Sequence, residues 1–416
     1  MATRLKPPAA GGATPAAPLR WLRAGAAVAD HGSAARAAPQ LHLSVSAVTR
    51  AVQQAETRLG VPLFERGARG MACTPAGAAL VLRVQRALGE LARGQAAVAT
   101  LTRHGPGPAW RLDDPLLHAL VVVAQTRSQV AAARQLGLSQ PALQQALARL
   151  QHATRATLFE HTWRGTRLTE AGEALLQAAK LALLELRLGH EALAAFCGGG
   201  PGSVVVGALP MSSDVLVPQA LSRLFSSCPG VVATVVDGTY EALLLQLRLG
   251  DVDCVVGPLR GAAAAADVVE DTLFTDDLLP VVRAGHPLLQ GLPPRRLCDL
   301  LAWPWIGPLP GTPARTAFER AFREAGLDVP AVGLQVNSPA VVRSVLMAGD
   351  QVALLSPLQI RGEVSAGQLV LLPVPVRGTQ RAIGITQRRD GLASLACQTL
   401  VAELRTVAQL LVSPGI

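Results

Sequence analysis

Two spacings of apolar residues divide the chain into two parts with different predicted structures. Up to residue 196, apolar side chains recur every three or four positions, as at Val48, Val52 and Ala55, which predicts amphipathic helices. From residue 203 onward, short β-branched runs such as Ser203–Gly207 alternate with helical stretches. That alternation is typical of parallel sheets covered by helices. A glycine-rich segment, Cys197 to Gly202, separates the two parts and predicts a domain boundary.

The helical part contains one pattern twice, with a constant offset of 95 residues. The first copy contains Ser44, Leu63-Phe64, Arg69-Gly70 and Ala76-Gly77, and the second contains Ser139, Leu158-Phe159, Arg164-Gly165 and Ala171-Gly172. The two copies align without a gap, and the match continues upstream, where Leu41 corresponds to Leu136. Because chance does not produce such a match, an internal duplication gives two domains of the same kind.

Each copy has the pattern of a winged helix-turn-helix domain. In the first copy, a short predicted helix over Ala34 to Gln40 is followed by a turn, and Ser44 is placed to cap a second helix. The segment Gly67 to Thr74 has the turn residues of a tight hairpin, the wing. Small hydrogen-bonding and cationic side chains at a helix start suit the major groove, and an arginine near a hairpin tip can reach phosphate or the minor groove. The candidate DNA contacts are Ser44, Ser46, Thr49, Arg50, Gln53, Arg66 and Arg69 in the first copy, and Ser139, Gln140, Gln144 and Arg164 in the second.

A second interpretation of these domains stays open. Helix-turn-helix folds also occur in proteins that do not bind DNA, so the chain could be a ligand-binding interaction protein whose winged helices dock proteins. The charge distribution favours DNA. Residues 1–105 hold thirteen Lys and Arg against four Asp and Glu, and this balance of +9 equals the net charge of the whole chain. A surface that faces phosphates needs such an excess of positive charge.

The chain resembles the LysR-type transcriptional regulators over nearly its whole length. The residues that carry the resemblance are Ala37-Ala38, Leu41, Ser44, Leu59-Gly60, Leu63-Phe64, Arg66 and Thr74-Pro75-Ala76-Gly77. The resemblance implies an N-terminal winged helix-turn-helix domain and a long linker helix that pairs antiparallel with that of a second subunit. It also implies a two-lobed, periplasmic-binding-protein-like domain that binds a small-molecule effector. A usual member has one winged helix-turn-helix domain, so the second copy departs from the family.

The two copies are expected to differ in their affinity for double-stranded DNA. On the second helix, the first copy has Arg50 where the second copy has Gln145. The second copy keeps the more family-like Gln140-Pro141 after its serine. We predict that the first copy contributes most of the DNA affinity, and that the second copy binds weakly or serves in dimerisation.

Each copy ends in a long predicted helix, from Thr74 to about Thr102 and from Thr169 to about Phe196. Because one chain holds both linker helices, one hypothesis is that they pair within the chain. The result would be an intramolecular pseudo-dimer that recognises an asymmetric DNA site. The alternative is an ordinary homo-oligomer, a dimer or tetramer, formed through one of the two helices.

The sequence predicts an α/β multidomain protein with tandem winged helix-turn-helix domains. The expected order is a disordered tail (1–18), the two winged domains with their linker helices (19–104 and 109–197) and the effector domain (203–416). The expected lobes of the effector domain are lobe I (203–277 and 378–416) and lobe II (283–372). The segments Leu278–Val282 and Val370–Val374 are expected to cross between the lobes.

Small polar residues follow four predicted strands of the effector domain, at the starts of helices. In such sheets ligands bind at the carboxyl ends of strands, where helix N-termini present free amides. These amides and the helix dipoles favour a small anion such as a carboxylate. The same residue types are also common as structural helix caps. The candidate effector contacts are Ser212, Ser213, Thr239, Gly307, Thr312, Asn337 and Ser338.

The chain lacks the sequence signals of several other classes of protein. The chain has no glycine-rich phosphate loop, HExxH motif, nucleophile elbow or carboxylate pair at strand ends, so neither catalytic residues nor enzymatic activity is expected. The six cysteines lack metal-ligand spacing, so no metal and no cofactor are expected. No apolar run reaches the roughly 20 residues of a membrane span, and residues 1–19 lack the apolar core of a signal peptide. A cytoplasmic protein without a membrane partner is expected.

Overall fold

The computed structural model describes residues 16–67, 70–105, 112–163, 165–210, 212, 214–261 and 264–412. The chain forms two compact units, Met1–Gly202 and Ser203–Ile416. The division falls at the end of the glycine-rich segment Cys197 to Gly202. These six residues have little apolar surface to bury, so they add little to the core of either unit.

The first unit repeats one order of elements twice. Its described helices are α1 (Leu19–His31), α2 (Ala34–Leu41), α3 (Val45–Leu59), α4 (Pro75–Thr102), α5 (Asp114–Thr126), α6 (Gln129–Leu136), α7 (Gln140–Thr154) and α8 (Glu170–Phe196). Its described hairpins are β1 (Phe64–Gly67) with β2 (Gly70–Cys73), and β3 (Phe159–Thr162) with β4 (Gly165–Leu168). Each copy therefore has three short helices, a wing and a long linker helix, which confirms the prediction of two winged helix-turn-helix domains.

The backbone repeats even where the residues differ. Three helix ends in the first copy and their counterparts 95 residues later all have positive φ values, between 52° and 75°. These pairs are Gly32 with Arg127, His42 with Gly137, and Gly60 with Arg155. A non-glycine residue with positive φ is uncommon, so the surrounding fold imposes this conformation in both copies.

The Thr-x-Ala-Gly motif joins each wing to its linker helix. The Thr74 hydroxyl accepts a hydrogen bond from the Gly77 amide at 2.9 Å and donates one to the Pro62 carbonyl at 2.9 Å. A Cβ atom at Gly77 would overlap the Leu63 carbonyl oxygen, and one at Gly172 would overlap the corresponding carbonyl in the second copy. Glycine is therefore required where the helix starts against the strand that precedes it.

The linker helices α4 and α8 pack antiparallel within the chain, and their buried residues join the cores of the two copies into one. Gly94 of α4 lies beside Leu175 of α8, and Gly189 of α8 lies beside Leu80 of α4. The two contacts are related by the 95-residue offset, so a pseudo-two-fold axis passes between the helices. Of the two arrangements that the sequence left open, this structure has the pairing within one chain.

The second unit contains two five-stranded sheets. Its described strands are β5 (Ser203–Ala208), β6 (Val232–Asp237), β7 (Cys254–Pro258), β8 (Val268–Asp276), β9 (Leu279–Arg283), β10 (Trp305–Gly307), β11 (Val332–Gln335), β12 (Val352–Leu355), β13 (Leu369–Leu371) and β14 (Arg381–Arg388). Its described α-helices are α9 (Leu216–Ser227), α10 (Tyr240–Leu249), α11 (Pro313–Glu324), α12 (Pro339–Ala348), α13 (Arg361–Ser365) and α14 (Leu395–Val412). The strand orders are β6-β5-β7-β14-β8 in lobe I and β11-β10-β12-β9-β13 in lobe II. The pairs β5–β6, β5–β7, β10–β11 and β10–β12 are parallel.

The two segments expected to cross between the lobes are instead largely strands of lobe II. Leu278–Val282 mostly forms β9, and the start of Val370–Val374 lies in β13, which pairs antiparallel with β9. Val281 and Val282 are both buried, on opposite faces of the sheet. If this segment crossed between the lobes, the side chains of Val281 and Val282 would be exposed to water. The chain instead crosses between the lobes just before β9 and again after β13. Lobe II therefore starts at about residue 279.

The helix α14 is long and apolar enough, by length and composition, to cross a membrane. One of its faces, which includes Leu400, Leu404 and Val407, is buried in the core of lobe I. A helix with one buried apolar face is typical of the core of a globular domain.

A buried polar network connects the two lobes of the second unit near the crossing segments. Asp276 at the end of β8 accepts hydrogen bonds from the Arg381 guanidinium at the start of β14 and from the Ser356 hydroxyl after β12. The Ser356 Oγ to Asp276 Oδ1 distance is 2.6 Å. All three residues are buried. Since Ser356 belongs to lobe II and the other two residues to lobe I, the network holds the lobes together at this point.

Gly94→Ala is expected to destabilise the first unit by about 1–3 kcal/mol. The new methyl group would overlap the Ala178 Cβ atom and force α4 away from α8. The matched control is Gly89→Ala on the same helix, where the nearest atom to a new Cβ, an Arg93 guanidinium nitrogen, is 3.8 Å away. The control should stabilise α4 by roughly 0.5–1 kcal/mol, as alanine does in helices. Urea titrations of the intact chain measure both effects, and equal changes in the free energy of unfolding of the two variants would contradict this packing of α4 on α8.

Asp276→Ala is expected to destabilise the second unit by about 3–5 kcal/mol, because it leaves the Arg381 guanidinium buried without its counter-ion. The neighbouring Asp277 is exposed, so Asp277→Ala should change the unfolding free energy by less than about 0.5 kcal/mol. Differential scanning calorimetry of the intact chain compares the two variants. A similar small effect of both would show that the buried network does not stabilise the lobes.

Candidate functional site

In the first winged domain, α3 presents an outward polar face. The Ser44 hydroxyl caps the helix by accepting a hydrogen bond from the Ala47 amide at 3.2 Å. The Thr49 hydroxyl donates to the Val45 carbonyl at 2.9 Å, so it is occupied within the helix. Arg50 and Gln53 are exposed, one turn apart. Within the part of the chain that the structure describes, Arg50 has no hydrogen bond or ion pair, so its guanidinium is available to DNA.

The corresponding face of α7 carries less charge. Ser139 caps this helix by accepting a hydrogen bond from the Ala142 amide at 3.3 Å. Gln140, Gln144 and Gln145 are exposed on it. The amide side chains stand where α3 has Thr49 and Arg50, so the two copies present different hydrogen-bonding groups on the same backbone.

The wings are described only in part. Arg69 and Arg164 lie outside the described residues, and of Arg66 only the backbone is described, in β1 opposite Met71. The DNA contacts expected from these three arginines therefore stay predictions. Next to Arg164, Trp163 is 87% exposed.

A cavity of about 450 Å³ lies between the two lobes of the second unit. Its walls include the carboxyl ends of the parallel strands and the starts of α10, α11 and α12, as the sequence predicts for an effector site. Four of the residues predicted from the sequence line it: Thr239, Gly307, Thr312 and Asn337. The volume is in the range typical of small-molecule sites.

Two other predicted effector contacts, Ser212 and Ser338, are not on the cavity wall. Ser212 is fully buried, and its hydroxyl lies 2.9 Å from the Leu209 carbonyl oxygen and 2.6 Å from that of Val256. It therefore holds strand ends together. Ser338 caps α12 by accepting a hydrogen bond from the Val341 amide at 3.5 Å. Ser213 lies outside the described residues.

Arg260 is a cavity residue that the sequence analysis did not identify. It follows β7, and its guanidinium carbon lies 4.2 Å from the centre of the Tyr240 ring. Its Nη1 atom donates a hydrogen bond to the Gly311 carbonyl of lobe II at 3.2 Å, so this cation spans the two lobes. The sequence carries a signal for it, because Arg260 follows the apolar run Val252 to Val256, as the hydroxyl residues follow other such runs.

Two further cavity residues carry buried hydrogen-bond donors without a partner among the described residues. These donors are the Tyr240 hydroxyl and the Arg381 Nε atom. Burial raises the pKa of Tyr240, and the Glu270 carboxylate adds to the rise, so the hydroxyl stays protonated at neutral pH. Buried donors of this kind need an acceptor. Carboxylate oxygens on a ligand are acceptors of the kind that such donors need, although the Glu241 carboxylate also lines the cavity, 3.7 Å from Arg260.

Comparisons with protein families agree with this division of the chain. The family model for the bacterial regulatory helix-turn-helix protein of the lysR family matches twice, at residues 19–78 and 115–173. The model for the LysR substrate binding domain matches residues 198–409.

Curated relatives include the HTH-type transcriptional regulator GalR of Pseudomonas putida, which is 36% identical over 395 residues, 94% of this chain and 97% of its own length. An alignment of 395 residues includes both winged domains of this chain, because the chain without one copy would be shorter than that. The HTH-type transcriptional regulator PcaQ of Agrobacterium fabrum is 30% identical over 293 residues, 70% of this chain and 94% of its own length.

Solved structures support the fold. CbnR, a LysR family transcriptional regulator, superposes with a TM-score of 0.51 at 20% identity and covers 71% of this chain and 98% of its own. A cysteine-to-aspartate variant of full-length OxyR from Pseudomonas aeruginosa has a TM-score of 0.54 at 22% identity and covers 71% of this chain and 94% of its own.

The repeated helix-turn-helix matches favour DNA binding over the alternative of protein docking. The effector-binding half is matched over nearly its whole described length. The chain belongs to the LysR family of DNA-binding transcriptional regulators, with the family's helix-turn-helix domain present twice and its substrate-binding domain forming the second unit.

Proposed function

We propose that one chain recognises a DNA site with two unequal halves through α3 and α7, and that a small organic anion in the cavity modulates this binding. The observation that carries the proposal is the antiparallel packing of α4 on α8 within the chain. This packing relates the two winged domains by a pseudo-two-fold axis. In dimeric helix-turn-helix proteins such symmetry places two recognition helices at two half-sites.

The exposed residues of the two recognition helices support unequal halves. Arg50 on α3 can form a bidentate contact with guanine, whereas Gln144 and Gln145 on α7 suit adenine. Positive charge is concentrated in residues 1–105, so the first copy is proposed to supply most of the phosphate contacts. The second copy adds sequence preference with less affinity.

The cavity supports a small carboxylate with an apolar body as the effector. Leu209, Ile306 and Val342 are among the apolar residues that line it. The Tyr240 hydroxyl and the Arg381 Nε–H can both donate to a carboxylate, and helix N-termini add positive potential. The predicted contacts Thr239, Gly307, Thr312 and Asn337 line the same cavity, and Ser212 is proposed to shape the cavity without touching the ligand.

Binding in the cavity is proposed to change how the lobes and subunits pack, and so to change DNA affinity. Such control requires the effector to bind two states of the protein with different affinities. Arg260 connects the lobes at the cavity and is placed to respond to an anion. Association of chains into a homo-oligomer, action in the cytoplasm and the absence of catalytic activity complete the proposal.

Arg50→Ala is expected to weaken specific DNA binding by about 1–3 kcal/mol, the usual value of a bidentate base contact. Gln145→Ala should cost less, because a neutral side chain contributes no phosphate attraction. The measurement is a fluorescence anisotropy titration of the intact chain with DNA from upstream of its own gene, across a salt series. The matched control is Arg93→Ala, which removes an exposed arginine of α4 that pairs with Glu90 at 2.5 Å.

Unchanged affinity for the Arg50 variant, together with loss of affinity for the Gln145 variant, would reverse the assignment of the dominant copy. An intact chain with no sequence-selective binding at any salt concentration would contradict the proposed function. Steep loss of affinity with rising salt is expected because phosphate contacts release counterions.

Arg260→Gln and Tyr240→Phe are each expected to reduce the thermal stabilisation that small carboxylates produce. The probes are benzoate, hexanoate and succinate, with benzamide as the uncharged comparison, in a thermal-shift assay of the intact chain. The control is Arg248→Gln on α10, whose guanidinium forms an ion pair with Asp267 at 2.6 Å outside the cavity. A carboxylate response that survives in both cavity variants would place the effector elsewhere.

A further inference from the structure

A buried ion pair crosses the interface between the linker helices. Arg83 and Arg86 of α4 lie 2.8 Å and 2.9 Å from the carboxylate oxygens of Glu185 on α8. The side chains of Arg83 and Glu185 are only 8% and 6% exposed. A carboxylate at this depth is strongly destabilising unless a cation neutralises it.

The ion pair breaks the pseudo-symmetry of the interface. The residues 95 positions from Arg83 and Arg86 are Ala178 and Leu181, which carry no charge. The counterpart of Glu185 is Glu90, which pairs with Arg93 on its own helix at 2.5 Å. The backbone contacts thus occur twice, whereas the buried charge contact occurs once.

This asymmetry decides which helices can pair. If two α8 helices from separate chains paired in the same geometry, each Glu185 would face Ala178 and Leu181 and stay buried without a cation. Lys180 would not supply one, because its counterpart Gln85 hydrogen-bonds Asp30 within its own winged domain. Self-pairing of α4 would place Arg83 near Glu90 and is electrostatically allowed. It would, however, leave α8 without the partner that its buried carboxylate needs.

We propose that Glu185, with Arg83 and Arg86, directs α8 to pair with α4 and not with another α8, that the covalent connection makes this the α4 of the same chain, and that the linker helices therefore do not serve as an exchangeable dimer interface. The second winged domain, from α5 to β4, connects α4 to α8 covalently and gives α4 a high effective concentration around α8. Each chain then contains a complete pair of unlike winged domains. Only the consequence for DNA, that a single chain occupies both unequal halves of one site, rests on the proposed function.

The test exchanges charges within one chain and between two chains. Three full-length variants are compared: Glu185→Arg, the double variant Arg83→Glu with Arg86→Glu, and the triple variant that combines them. The first two place like charges together and are expected to lose the thermal transition of the first unit. They should also lose roughly tenfold or more in DNA affinity. The triple variant restores opposite charges in one chain and is expected to recover both the thermal transition and the DNA affinity.

Co-expression of the first two variants, with different affinity tags, separates pairing within a chain from pairing between chains. If the connection within each chain prevents the helices from exchanging between chains, neither variant can complement the other, so the co-expressed mixture should behave as the separate variants do. Recovery in the mixture would show that α4 of one chain pairs with α8 of another, and would overturn the inference. Failure of the triple variant to recover its thermal transition would also overturn it, because charge complementarity would then not determine the pairing.

A milder substitution covers the case in which the charge-reversed variants do not fold. Glu185→Gln keeps the shape of the side chain and should lower the Tm of the first unit by on the order of 10 °C. The matched control is Glu191→Gln on the same helix, which removes an i,i+4 ion pair with Arg187 and should change the Tm little. Equal effects of the two would overturn the inference. A triple variant that regains its transition but binds no DNA would count against the proposed function and leave the pairing inference standing.

Discussion

The close packing of α4 on α8 is the constraint on which the first unit depends. Both helices carry an apolar stripe too wide to leave in water, and burying the two stripes against each other merges the cores of the winged domains. Gly94 and Gly189 allow the helices to approach at two equivalent points. Because each linker helix starts at a threonine cap that holds the preceding wing, the helix packing also sets the relation between α3 and α7.

The two copies share the residues that their fold requires and differ on the exposed faces of α3 and α7. Where a residue lies against backbone atoms, both copies have the same residue type. Gly77 and Gly172 are an example, because a side chain there would overlap a carbonyl oxygen. Exposed positions on the recognition helices have diverged, as at Arg50 and Gln145. A duplicated domain can keep its fold and change its base preference in this way, since exposed side chains contribute little to folding. A single chain can therefore contain two domains of the same fold whose exposed helix faces differ.

In the second unit, the polar groups between the lobes divide into those that are satisfied and those that are not. Asp276 is neutralised by Arg381 and accepts a further bond from Ser356, so it stabilises the connection between the lobes. The Arg381 Nε atom and the Tyr240 hydroxyl stay without partners among the described residues, and both belong to residues that line the cavity. Unsatisfied donors cost stability in the empty protein, and an anionic ligand would offset that cost.

The sequence by itself determined the duplication, the winged helix-turn-helix domains, the recognition helices and the two α/β lobes. These features depend on local periodicity, capping residues and a gap-free 95-residue repeat, all of which are visible without coordinates. The tertiary structure alone decided that Ser212 is fully buried while Thr312 lines the cavity, although both are small hydroxyl residues after a strand. It also decided that β9 belongs to lobe II, that Arg260 and Arg381 both line the cavity, and that Glu185 pairs with Arg83. Each of these outcomes depends on contacts between residues far apart in the chain, and hydrophobic periodicity reports only which face of an element is buried, not what lies opposite it.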